Sequence, residues 1–302
     1  MLSACNIVKA CSRMIQVRRQ GCMAKRRISA MVRSLWSAAT GMNAQQANVD
    51  TIANNLANVN TTGYKTEVAE FKSLLYQNLQ TKTTTANGEN KPVSAQVGLG
   101  VRNSTITSIF KQGNLLESSS TSAFAIDGKG FFAVRGEDGQ NYYTRNGNFI
   151  WAMDNGNITL TTTDGLPVLD TNGKKISFSG DYIASNIVIS GDGEICYPDG
   201  NNNAIPTGIR IGLHQFQNPS GLEKTSGSLY AATAASGNAI NENNMAANVK
   251  KSNIRQGYLE GSNVQVADEM VNMIVAQRAY EMNSKIIQTT DDMMSQANNL
   301  RR

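Results

Sequence analysis

The sequence predicts an α+β protein in which long N- and C-terminal helices form a coiled-coil-like pair around an inserted all-β domain, elongated overall. Two observations carry this: an apolar stripe of heptad-like spacing at each end, and a ladder of Asn-Gly and Asp-Gly dipeptides between them. The length of 302 residues suits about two domains at roughly 150 residues each.

The N-terminal stripe runs Leu35, Ala39, Met42, Gln46, Val49, Ala53 and Leu56 in strict 4,3 alternation, and Val59 extends it one step. No Gly or Pro follows Gly41 within it, so one long helix is expected. The C-terminal stripe repeats the pattern through Val266, Met270, Met273, Gln277, Tyr280, Ser284, Ile287, Asp291 and Met294, with Ile274 and Ile286 widening it. Both seams place polar residues where a self-sufficient coil would carry Leu or Ile, each giving up roughly 1.5–3 kcal/mol of side-chain burial. Two readings stay open on the residues alone: a leaky coil within one chain, or helices that order only when copies pack together.

Between the ends, Asp127-Gly128, Asp138-Gly139, Asn146-Gly147, Asn155-Gly156, Asp164-Gly165 and Asn172-Gly173 recur every 8–11 residues, followed by Asp192-Gly193 and Asp199-Gly200. Such dipeptides supply the positive φ of tight hairpins, and this spacing marks a meander, sandwich or barrel. The polar stretch 77–97 reads as a long loop or extended arm, and the Asn/Ala-rich stretch 231–253 leads back toward the C-terminal helix. The expected division is therefore a basic extension at 1–30, a terminal helical domain from 31–66 with 258–302, a connecting region from 67–125 with 230–257, and a β domain at 126–229.

Composition narrows the function. The net charge of +5 comes from residues 1–30, which hold seven Lys and Arg and no acid; the remaining 272 carry 21 Lys and Arg against 23 Asp and Glu. A body of that balance gives no electrostatic argument for nucleic acid or an anionic membrane. No apolar run approaches a membrane span. One histidine, His214, permits no His-pair zinc site, and its alternating flanks predict a solvent-facing strand position. Three of four cysteines lie in the basic segment, leaving Cys196 alone in the rest and no basic neighbour to activate it, so a buried structural thiol is expected. Gly128-Lys129-Gly130 precedes a strand and lacks the helix that a phosphate loop needs. Glu137, Asp138, Asp154 and Asp164 fall on turn tips, where Asp serves turn geometry. These features predict no enzyme, no catalytic or metal-ligating residue and no cofactor.

The wording of three segments is more specific. Ser34-Leu35-Trp36-Ser37-Ala38-Ala39-Thr40-Gly41-Met42 and Ala53-Asn54-Asn55-Leu56-Ala57-Asn58-Val59-Asn60-Thr61-Thr62-Gly63-Tyr64-Lys65 open the chain's main body. Ala125 to Val134, containing Gly130-Phe131, and Tyr143 to Phe149 follow. Gly257 to Val264, containing Asn263, and Gln277-Arg278-Ala279-Tyr280-Glu281-Met282-Asn283-Ser284-Lys285 close it. In this order they resemble the rod and hook proteins of the bacterial flagellum, most closely the distal-rod members, over essentially Met31 to Met294. Bottom-up, Asn54, Asn55 and Asn58 suit a helix exit and Gly63 the turn beyond it. Arg278 and Glu281 would be a surface pair worth about 0–1 kcal/mol in a monomer.

The resemblance implies a structural subunit that polymerises into the rod carrying torque from motor to hook, with the terminal helices as its inner tube and the β domain facing outward. It favours helices that order on assembly. It implies packing roles for Leu35, Met42, Val49, Leu56, Met270, Met273, Tyr280, Ile287 and Met294. The implied partners are further copies of the chain, other rod subunits, the hook protein, the flagellar export apparatus and basal-body rings, with no nucleic acid and no membrane insertion. The implied location is the basal body outside the cytoplasmic membrane, in the periplasm or cell-wall zone. The alternatives are a proximal-rod or hook-type axial subunit, including the hook-basal-body proteins of spore formers, or a surface β-domain binding protein with an oligomerisation coil. Because residues 1–30 match no family motif, Met31 is the expected working start; native peptides from 1–30 in mass spectrometry would overturn it.

Overall fold

The computed structural model describes residues 33–80, 95–154, 156–179, 182–198, 204–244 and 250–299. The basic extension, Met31, Asn155, Asp199-Gly200 and the centres of the two polar stretches, 81–94 and 245–249, lie outside the described residues. Helix α1 covers 33–57. Strands β1 (Glu67–Ser73), β2 (Tyr76–Gln80), β3 (Ala95–Gly98), β4 (Val101–Ser108) and β5 (Leu115–Glu117) follow. Next come β6 (Phe124–Asp127), β7 (Phe131–Arg135), β8 (Asn141–Thr144), β9 (Phe149–Asp154), β10 (Asn157–Thr162) and β11 (Ser177–Ser179). Then β12 (Val188–Ile189), β13 (Glu194–Pro198), β14 (Ala204–Arg210), β15 (Leu213–Gln215), β16 (Glu223–Lys224), β17 (Leu229–Ala231) and β18 (Ile240–Asn241) are laid down. β19 (Asn253–Gln256), β20 (Tyr258–Glu260) and helix α2 (Val266–Asn299) complete the chain.

The chain divides into two compact units. One takes its described residues from 33–52, 69–106 and 270–299, the other from 53–68 and 107–269. The second unit thus includes residues 107–125 and 230–269 beside the 126–229 segment that the turn ladder marks.

In the first unit α1 and α2 pack side by side, and their approach is close at Gly41, where a Cβ would lie 2.9 Å from the Asn283 side chain. The buried line along α1 in this unit is Ala38, Ala44, Thr51 and Ile52; along α2 it is Ala276 and Thr290, with Met273, Asn283, Ile287 and Met294 half-buried, and Asn55 and Glu269 are the buried helix residues of the second unit. Both lines sit about one residue earlier than the predicted stripes. Gln46, Gln277 and Asp291 are accordingly exposed rather than in a seam. Small side chains let the two backbones come together, so the seam turns toward Ala, Gly and Thr and leaves bulkier groups to its flanks. The 77–97 segment is not a plain loop: its two ends form the antiparallel hairpin β2–β3, with Tyr76 opposite Gly98. β4 pairs with β1.

The second unit is built on a six-stranded antiparallel sheet in the order β16-β17-β8-β7-β15-β18. β7 is apolar at every inward position on both faces, and the period of two explains why. Phe132 and Val134 join Phe124, Phe149, Leu160, Val168 and Ile195 in the larger core, while Phe131 and Ala133 meet Tyr143, Leu169, Phe216 and Tyr230 on the other side. Two three-stranded sheets, β11-β10-β9 and β12-β13-β14, add Ile158, Leu160, Ile189 and Ile195 to the buried set. Each such side chain contributes roughly 1.5–3 kcal/mol.

Three local expectations change. At Asn146-Gly147 the glycine is not needed for positive φ: a Cβ there would fall 1.6 Å from the Phe124 carbonyl oxygen, so the strand simply passes too close for a side chain. His214 is mostly buried on β15, edge-on to Tyr143 with centroids 5.5 Å apart, and its Nδ1 lacks a hydrogen-bond partner. Burial accordingly lowers its pKa. Cys196 is half-buried, in register with Val188 and Pro206 on neighbouring strands.

Candidate functional site

The exit of α1 is organised by asparagines. Asn58 N–H is shared between the carbonyls of Asn54 and Asn55 at 3.2 Å each, and the Asn58 side chain donates to Asn54 O at 2.8 Å, satisfying carbonyls that a helix end leaves unpaired. Asn55 is buried and acts as a strand-like clip: its Oδ1 accepts from Glu67 N at 2.9 Å, and its Nδ2 donates to Glu67 O at 2.8 Å. Tyr64 Oη also donates to Asn55 Oδ1, at 3.1 Å. Asn263 does the same work from the other end of the chain, its Oδ1 accepting from Thr66 N at 2.7 Å and its Nδ2 donating to the carbonyls of Ile109 and Lys111.

Gly63 lies between these clips. Its φ of +70° and the backbone of Arg145–Asn146, 2.7 Å from a hypothetical Cβ, both require glycine. Beyond it stands a buried charged cluster that sequence reasoning missed. Lys65 Nζ lies 2.5 Å from Glu260 Oε1, and Arg145 Nη1 lies 3.3 Å from Glu260 Oε2. The three residues are 0%, 2% and 1% exposed for Lys65, Arg145 and Glu260. Burial lowers the Lys65 pKa against the opposing pull of Glu260. Each residue stands inside a quoted motif, but nothing local shows that positions 195 apart, Lys65 and Glu260, meet.

The Gly128-Lys129-Gly130 turn closes the other side. Arg145 Nη2 donates to Gly128 O at 2.8 Å, and Gly130 N donates to Ser252 Oγ at 2.9 Å. Ser252 in turn donates to Glu242 through both its N–H and its hydroxyl, at 2.7 Å each. A Cβ at Gly130 would stand 2.6 Å from Glu242 Oε1. The glycines therefore admit a buried polar network, not a phosphate. Phe131 is fully buried, with the Arg145 guanidinium 5.0 Å from its ring centre.

On α1, Leu35, Met42, Val49 and Leu56 are half-buried beside the seam. On α2, Met273, Ile287 and Met294 face inward, whereas Met270 and Tyr280 are exposed. Gln277 is exposed too, and Arg278 and Glu281 form an exposed pair at 2.8 Å. Outside its seam α2 also carries Val271, Ile274, Val275, Met282, Ile286 and Met293, all exposed, from 44% at Ile286 to 63% at Val275. A helix apolar on two faces is suited to burial on both, and one chain covers only one. In the same unit a groove of about 500 Å³ opens among Ser37, Ala38, Val97, Gly98, Asn283 and Ile286. Among the described residues there is no His, Cys, Asp and Glu group able to hold a metal, and no helix long and apolar enough to cross a membrane.

The comparisons agree with this anatomy. Residues 35–65 match the model of the flagella basal body rod protein family, 125–197 that of the flagellar hook protein FlgE/F/G D1 domain, and 255–300 that of the flagellar basal body rod FlgEFG protein C-terminal region. The chain is 44% identical to the flagellar basal-body rod protein FlgG of Borreliella burgdorferi, over 90% of this chain and 100% of that one. It is 40% identical to FlgG of Agrobacterium fabrum, over 87% of this chain and 97% of that one. The flagellar hook-basal body complex protein FlhP of Bacillus subtilis is 31% identical over 90% of this chain and all of its own length. Near-full-length identity at this level, with all three motif segments matched in order, places the chain in the FlgG family of flagellar basal-body rod proteins.

Proposed function

We propose that this structural, non-catalytic rod subunit polymerises with further copies of itself into the distal rod, the shaft carrying torque from motor to hook. The observation that supports this most directly is the second apolar face of α2. A face of Val271, Ile274, Val275, Met282, Ile286 and Met293 is costly to leave in water and suits a neighbouring helix. Neighbours joined through unlike surfaces continue into an open helical filament when the rotation between them does not close a ring, as this reading requires. In this reading the helical segments 31–66 and 258–302 form the inner tube, and the β region at 126–229 lies outside. The 67–101 arm stiffens the contacts, other rod subunits and the hook protein adjoin the ends, and basal-body rings surround the shaft. Subunits arrive through the flagellar export apparatus and work outside the cytoplasmic membrane, in the periplasm or cell-wall zone.

Deleting residues 290–302 tests the proposal. The expected strain is non-motile, with basal bodies that carry a truncated rod, while the purified protein keeps its β-sheet circular dichroism; unchanged motility would overturn it. The likeness to FlhP favours one second reading, a hook-type axial subunit, and that reading prevails if the rod is complete and only the hook is missing.

A further inference from the structure

Glu260 is the single carboxylate between two buried cations. It reaches Lys65 from 195 positions away and Arg145 from 115, and its Oε1 also accepts from Gly113 N at 3.0 Å. The backbone around it closes through the same segments. Gly63 N donates to Glu260 O at 2.7 Å, Gly261 N donates to Asn114 O at 2.8 Å, and β20 pairs with β5. Apolar packing supports this closure only at Tyr64, which is buried. Neither core cluster draws a buried member from 57–67, 111–118 or 257–263; Leu116 is exposed, Tyr258 and Leu259 are half-buried, and Phe110, just before the second stretch, packs edge-on to Phe131 and Tyr230 and so stays with the sheet. Polar contacts therefore hold together the place where the chain leaves α1 and the place where it enters α2.

We propose that Glu260 is an electrostatic latch, and that 61–67, 111–117 and 257–263 open and close as one cooperative unit separate from the six-stranded sheet. Among the described residues Glu260 is the one carboxylate in contact with either cation, while buried Glu242 acts on Arg145 from a distance. Without Glu260, two cations lie out of water with no anion in contact, a state the chain escapes by opening this region alone, since most of its apolar core lies elsewhere. Lys65 is the cation that sets the requirement. Removing it leaves Glu260 and Arg145 as a one-to-one pair, and the Lys111 carbonyl it contacts keeps the Asn263 amide as donor.

Native-state hydrogen exchange on the full chain tests this, whatever becomes of the rod reading. In the wild type, the amides of Gly63, Gly113 and Gly261 should exchange together and faster than those of β7 and β8. Glu260→Gln should speed those three by at least about tenfold with β7 and β8 unchanged, and adding Lys65→Met should return most of the protection. Lys65→Met alone should leave them within about threefold of wild type. Where Glu260→Gln yields no folded protein, Glu260→Asp keeps the charge one methylene short and should give a smaller acceleration of the same amides. Wild-type exchange in these Glu260 variants, equal acceleration across β7 and β8, or no rescue by Lys65→Met would overturn the latch.

Discussion

Single residues decide how closely backbones approach, and two glycines of similar sequence context separate two causes. At Gly139 the φ is +74° and no atom lies within 4 Å of a Cβ, so Gly139→Ala should cost about 1 kcal/mol of backbone strain. At Gly147 the Phe124 carbonyl stands in the way, and Gly147→Ala should cost more than about 2 kcal/mol, read as a lower urea midpoint. Equal midpoints for the two variants would refute the distinction. The sequence shows both as Asp/Asn-Gly pairs and cannot tell them apart, because the obstacle at Gly147 is a strand 23 positions away.

Titration is also settled residue by residue. Burial, reinforced by Glu67, pushes the Tyr64 and Tyr230 hydroxyls above their ordinary value of 10.0, and burial raises Tyr143 as well. A raised folded pKa gives stability that is full below the unfolded pKa and is lost as pH climbs toward the folded one. Lys65 has the opposite sign, since its lowered folded pKa makes stability rise with pH while the folded lysine has given up a proton that the unfolded one still holds, levelling off at the unfolded pKa. With three tyrosines against one lysine, the melting temperature should fall from pH 9 to 11, and Tyr230→Phe should flatten the fall. An unchanged slope in that variant would remove Tyr230 from the account.

At the scale of elements, α2 shows what periodicity can and cannot give. The 4,3 spacing from Val266 to Met294 announces a helix, and a helix of 34 residues, roughly 50 Å long, is present. Which face packs within the chain was not legible, because the helix is apolar around most of its circumference. The seam is chosen by steric fit: Ala276 and Gly41 allow close approach, and Asn283 fills the gap beside Gly41. Val275→Ser should therefore leave the unfolding of the isolated chain within about 0.5 kcal/mol of wild type while abolishing filament growth and motility. Ala276→Leu should do the reverse in vitro, destabilising the chain by about 1–3 kcal/mol through overpacking. Normal motility in the Val275→Ser strain would argue against the exposed face as an interface.

In the whole molecule, the sequence determined the order of parts: helix, β region with its turn ladder, helix. It did so through local physics, namely apolar period, turn chemistry and the absence of helix breakers between Gly41 and Leu56. The same wording carried the family, although the backbone demands that Asn263, Gly63 and Gly130 meet come from segments as far as 197 positions away. Tertiary structure alone decided the rest. It gathered Lys65, Arg145 and Glu260 into one buried site, turned both helix seams by a residue, and left His214 mostly buried instead of facing water. These outcomes depend on pairing segments far apart in the chain, 195 positions for Lys65 with Glu260 and 214 for Asn55 with Glu269, and the free energy of such contacts belongs to the closed shape, not to any stretch of chain.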